Sequence, residues 1–141
     1  ILITPLFIEF ANSKPTKRVR LQKTKESCSV KLSVNRIITS CKTEIKVFTP
    51  HGTALGYYTL PYSIHSTGSL EHDTHHQNTL WLATHQFVQS FQYSHTPTQS
   101  STKITPNNQQ GFVLKVLPSK TSQNVYISQT WAINVVDRQQ M

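Results

Sequence analysis

Glu71, His72, Asp73, His75 and His76 crowd into one short stretch, the densest set of chemically capable side chains in the sequence. Imidazole nitrogens beside carboxylates are ligands that zinc, nickel or copper use, which makes His72, His75 and His76 candidate metal residues. Two other readings stay open for the same stretch. It is a polar loop whose histidines are solvated, or a pH-sensitive contact whose imidazoles gain charge as pH falls through about 6.5. His51, His65, His85 and His95 each stand apart from any recognisable catalytic motif. There is no GxSxG, no HExxH and no Walker loop. With six acidic residues in the chain, carboxylate pairs for glycosidase-type chemistry are few. The expectation is a protein that is not an enzyme and needs no cofactor.

Cys28 and Cys41 are the only cysteines. An even count in a short, Ser/Thr-rich chain favours a disulfide over two buried thiols, and no CxxC spacing supports a metal pair. Bonded, the short loop they close would contribute about 3 kcal/mol by a chain-entropy argument. The sequence opens on Ile1 rather than Met, for which a removed signal peptide is one ordinary explanation. The expected location is therefore secreted, at the cell surface or periplasmic. No apolar run reaches the roughly 18 residues of a membrane span, so a soluble chain is expected.

Charge is concentrated. Between positions 14 and 46 lie ten basic residues against Glu26 and Glu44, a net of +8, and the rest of the chain balances to zero. Lys14, Lys17, Arg18, Arg20, Lys23 and Lys25 form the dense part of that segment. They could follow a polyanion such as nucleic acid, because cations neutralise phosphate or sulfate without a shaped pocket. Solvated outward positions of two strands are the plainer account, and lysine on an edge also blocks unwanted pairing. Stacking aromatics do not interleave with these cations, which argues against specific RNA reading.

The elements that would position these groups read as strands. Leu6, Ile8 and Phe10 alternate with Phe7 and Glu9, as in a buried strand or one lent to a neighbour's sheet. Val19 and Leu21 alternate with Arg18, Arg20 and Gln22. Cys28, Val30, Leu32 and Val34 share one side of a further run, and Ile37, Thr39, Cys41, Thr43, Ile45 and Val47 continue similarly. A hairpin turning near Asn35 and Arg36 would bring the cysteines together on an inward face. Residues 57–64 follow Gly52 and Gly56, residues 66–78 read as a surface loop, and residues 94–110 as a long loop. Residues 79–93 allow a helical stripe, but their Trp, Thr, Phe, Val and Tyr content favours two strands with a bend near His85. Residues 112–117 and 125–136 then form a hairpin about residues 118–124.

Several strands without βαβ alternation predict one all-β domain over Ile1–Met141, an antiparallel β-sandwich of immunoglobulin-like or related type. At 141 residues a single core can cover roughly two thirds of the unfolded surface.

The stretch FVLKVLPSKTSQNVYISQTWAINVVD, residues 112–137, resembles the end of a bacterial fimbrial subunit: a strand, a Pro/Ser/Lys turn, then a Tyr-led alternating strand. The resemblance covers about a fifth of the chain. It implies an incomplete immunoglobulin-like fold completed by a strand from another subunit or a chaperone, with Leu6, Ile8 and Phe10 in residues 1–13 as the donor. The function expected is a structural or assembly subunit of a bacterial surface or envelope apparatus, with protein subunits as partners. The alternative is a polyanion-binding coat or packaging protein. Fimbrial subunits commonly carry Gly near the final Tyr and separate their cysteines more widely, whereas this chain has four glycines in all.

Overall fold

The structure is a computed structural model that describes residues 2–3, 7–10, 17–20, 28–62, 69–76, 78–93 and 101–138, the first three groups and Ser69 through their backbone. It is all-β, and every strand pair is antiparallel. The chain separates into two compact units. Unit 1 holds Ile1–His65 and Tyr93–Thr98, and unit 2 holds Ser66–Gln92 and Gln99–Met141.

In unit 1, β1 (Leu2–Ile3), β2 (Phe7–Phe10) and β3 (Lys17–Arg20) form one sheet with β2 in the middle. Then β4 (Cys28–Ser33), β5 (Arg36–Cys41), β6 (Glu44–Phe48) and β7 (Ala54–Thr59) form a second sheet in chain order. The β4–β5 hairpin sets Cys28 opposite Cys41, and the two are joined in a disulfide, as their spacing predicts. Asn35 makes the turn at a left-handed φ of 56°, which asparagine tolerates better than most residues.

Two expectations fail here. The run from Ile37 to Val47 is not one strand, because Lys42 adopts φ 50° and reverses the chain into β6. Leu32, on the outer strand β4, and Val34, in the turn beyond it, are exposed rather than inward. The buried residues include Ile37, Ile38, Thr39, Ile45, Val47 and Phe48 on β5 and β6, with Leu60 beyond β7 and with Tyr93. β5 buries successive residues on both faces, which removes the alternation expected of a half-exposed strand.

In unit 2, β8 (Ser69–His72), β9 (Thr79–Ala83), β10 (Val88–Gln92) and β11 (Ser101–Ile104) form one sheet in the order β11-β10-β9-β8. β12 (Val113–Pro118), β13 (Asn124–Gln129) and β14 (Ile133–Asp137) form the other. Trp81, Ala83 and Val88 from the first sheet meet Val113, Val116, Val125 and Ile127 from the second in one dry core. Unit 2 is thus a two-layer sandwich. Every described sheet runs as a meander of consecutive strands, without the Greek-key crossing of immunoglobulin sheets.

The sequence reading gives β9 and β10 as strands with the bend at His85, and the structure agrees. It misses β8 and β11, which lie in stretches expected to be loops. Both are short outer strands whose polar side chains suit an exposed edge, so composition alone does not separate them from loop. The expected strand over residues 125–136 is two strands, divided at Thr130 and Trp131.

Candidate functional site

The His-rich stretch is organised around Asp73, which is fully buried. Its carboxylate accepts from Trp81 Nε1 at 2.9 Å, Arg138 Nε at 2.8 Å and Arg138 Nη2 at 3.0 Å. The backbone amides of His75 and His76 donate to the same carboxylate at 3.0 and 3.2 Å, closing a turn. Arg138 Nη2 also donates to Ser119 O at 2.7 Å, and Nη1 donates to Ser122 O. Burial alone would raise the Asp73 carboxyl. The hydrogen bonds and charge of Arg138, with the Trp81 and His76 donors, outweigh it and hold the group below its ordinary value.

This arrangement clamps Asp73 between Trp81 and Arg138. His72 is buried on β8, while His75 and His76 are exposed and meet edge to face with centroids 5.1 Å apart. His75 Nε2 lies 2.9 Å from Gln123 Nε2. Among the described residues no group of three or more His, Cys, Asp or Glu side chains is placed to hold a metal ion.

The other sequence candidates divide by place. Ile8 and Phe10 lie on β2, which is paired on both sides by β1 and β3. Lys17, Arg18 and Arg20 lie on β3, the outer strand of that sheet, with Arg18 opposite Glu9. Leu6, Lys14, Lys23 and Lys25 lie outside the described residues. Further along the basic segment, Arg36 Nε donates to the Tyr93 hydroxyl at 3.2 Å, and Lys46 Nζ is 3.8 Å from Glu44.

Two surfaces of unit 2 escaped the sequence reading. The first is the outer face of the three-stranded sheet. Leu117 pairs with Tyr126 and Tyr126 with Val135, so the three make one exposed apolar row across β12, β13 and β14. Ile133, 70% exposed, sits beside that row on β14.

The second is a cleft of about 730 Å³ between the turn at His85 and the turn that joins β13 to β14. Its wall is built by backbone bonds. Asn107 caps the 3-10 turn Asn108–Gln110, accepting from Gln109 N at 3.0 Å through its side chain. Gly111 then takes φ 93°, and a Cβ there would stand 2.5 Å from Thr130 Cβ and 3.0 Å from Trp131 Cε3. That contact is open to glycine alone. Phe112 O accepts from Thr130 N at 3.1 Å, Phe112 N donates to Thr130 Oγ1 at 3.2 Å, and Trp131 N donates to Gln110 O at 3.0 Å. Buried Gln129 ties the wall together, donating from Nε2 to Asn107 O and Gly111 O and accepting from Asn134 Nδ2.

These bonds hold two aromatic side chains at the cleft: Trp131 is 76% exposed and Phe112 65% exposed. The His85 ring meets Phe112 at 5.8 Å, nearly edge-on. The sequence signal was a tryptophan flanked by Thr130 and Ala132 in what proves to be a tight turn. The reading of residues 125–136 as one strand passed over it.

No family model matches this chain. No curated protein matches it either.

Proposed function

We propose that this protein is a non-enzymatic structural or assembly subunit of a bacterial cell-surface or envelope apparatus, pairing with a second copy of itself through β14 and the outer face of β12–β14. The observation that carries this is the row Leu117, Tyr126, Val135, which ends on an outer strand. That strand, INVVD, has neither the lysine nor the proline that usually protects an edge. Antiparallel pairing of two β14 strands about Val135 joins the sheets into one of six strands. It also joins the two rows into a continuous apolar band across both copies, as a two-fold contact requires.

Area sets the strength. Three strands at about 4.8 Å spacing and five residues at about 3.4 Å each outline roughly 240 Å² of sheet. A lasting interface needs roughly 800 Å² per partner, so the face contributes only part, and the paired edge must supply the rest. The contact is therefore weak and, being two-fold, closes at a dimer. The disulfide supports a secreted, surface or periplasmic location, and the fimbrial resemblance of residues 112–137 supports the same reading.

Light scattering over rising concentration tests it. Mass should climb toward a dimer in the native chain and stay monomeric in Val135→Lys with unchanged circular dichroism. A native chain still monomeric at about 1 mM sinks the reading, since such a contact would contribute less than about 4 kcal/mol.

A second reading, polyanion binding by a coat or packaging protein, is favoured by the place of Lys17, Arg18 and Arg20 on the outer strand β3. Heparin retention that falls steeply with salt and is lost in the triple alanine variant would support it. Retention unchanged by those substitutions would remove it.

A further inference from the structure

We infer that the cleft between His85 and the β13–β14 turn binds a neutral carbohydrate chain, with Trp131 and Phe112 stacking on sugar rings. This inference is independent of the self-pairing surface, because the cleft lies at the turn end of the sheet and Leu117, Tyr126 and Val135 do not line it.

The chemistry of the lining selects the ligand. A cavity of about 730 Å³ lies within the roughly 300–1,000 Å³ of small-ligand sites. Its apolar surface comes largely from Phe112, Trp131 and Pro106, and its polar groups are the amides of Gln86 and Asn108, the hydroxyls of Thr105 and Thr130 and the imidazole of His85, with the Gln129 amide already committed to the wall. Among the described residues no Lys, Arg, Asp or Glu lines it. In a chain of net charge +8, a cleft to whose described lining neither lysine nor arginine contributes is not shaped for phosphate, sulfate or carboxylate ligands.

A pyranose ring presents what this lining lacks a partner for. Its axial C–H groups make an apolar face that lies flat on an aromatic ring, and its equatorial hydroxyls point outward to amides and hydroxyls. A purely apolar ligand would leave the amides without use. Exposed aromatics in water carry a cost unless they serve such a contact, and an aromatic with a polar tip, as in Trp, is favoured where one side is wet.

The wall is also prepared in advance. Gly111 packs against Thr130 and Trp131 with no room for a Cβ, and the backbones of Phe112 and Trp131 are each pinned by hydrogen bonds. Little ordering is then left to the binding step.

The test uses the full chain with cellotetraose, xylotetraose, mannotetraose, maltotetraose and chitotetraose as probes, read by tryptophan quenching and calorimetry. At least one should bind, with affinity falling about tenfold or more in Trp131→Ala and Phe112→Ala and largely kept in Trp131→Phe. Circular dichroism of each variant should match the native chain, since both side chains are largely exposed. Failure of all five probes to bind overturns the proposal. So does binding of 2-naphthol with none by the saccharides, which marks the cleft as a site for an apolar ring. Saccharide binding left intact by both alanine variants places the sugar elsewhere and overturns it equally.

Discussion

Replacing Asp73 by Asn should destabilise unit 2 more than any other single isosteric change in the described residues. The substitution keeps the volume and removes the charge. An amide NH2 then faces Trp81 Nε1 and Arg138 Nε, both donors at 2.9 and 2.8 Å from the present carboxylate oxygen. The guanidinium, buried with its partner, loses its counter-charge. Breaking a buried pair from one side costs about 3–5 kcal/mol. Arg138 keeps its bonds to Ser119 O and Ser122 O, which places the expected loss near the lower end, about 3 kcal/mol.

The assay is urea unfolding in a Trp131→Phe background, so that Trp81 alone reports the surroundings of Asp73. A second arm removes both charges. Asp73→Asn with Arg138→Met should be less destabilised than Asp73→Asn alone, because no unpaired cation remains. The pH dependence has a fixed sign. Asp73 is held below its ordinary value, so its contribution is complete above that ordinary value and is lost as pH falls through the lower, folded-state one. Asp73→Asn should therefore flatten the acid limb of the stability curve. A loss under about 1 kcal/mol, within the range of ordinary surface substitutions or little above it, would refute the clamp as an energetic centre.

Three further outcomes are expected. Gly111→Ala should cost roughly 1–3 kcal/mol in urea unfolding and blunt tryptophan quenching at the cleft, because its Cβ would collide with Thr130 at 2.5 Å. Tyr62 is pushed up to about 12 by burial first and by Tyr58 second. Its contribution should hold below pH 10.0 and disappear as pH rises to about 12, with Tyr62→Phe removing the last phase of tyrosinate absorbance. Reducing Cys28–Cys41, or replacing both with Ala, should lower stability by about 3 kcal/mol in denaturant titrations, the closed loop having a sequence separation of 13.

What the sequence made legible follows from how each residue reports its surroundings. The cysteine pair and its hairpin were readable because two strands meeting at a short turn leave one natural register, and Asn35 marks that turn. β9 and β10 were readable from aromatic and branched content around His85. β8 and β11 were not, because an outer strand with polar side chains has the composition of a loop. Asp73 and Arg138 are 65 residues apart, and nothing local in either stretch announces the pair. The histidines around Asp73 left three readings open, and none of them included the guanidinium that the carboxylate meets. The cleft was invisible for a related reason. It depends on the Gly111 backbone lying against the side chain of Thr130, residues distant in sequence.

The meander order of the sheets bears on how the chain reaches its native state. When each strand's hydrogen-bonding neighbour is also its neighbour in sequence, sheets can grow hairpin by hairpin, each closing a short loop. In unit 2 the step that differs is the closing of β12 and β13 over β9, which joins Val113, Val116 and Ile127 to Trp81 across a long stretch of chain. Local hairpins should form early, and the joining of the two layers should set the rate. Substitutions at Val116 or Ile127 should accordingly slow refolding, whereas changes in the β13–β14 turn should chiefly alter how fast the native state opens.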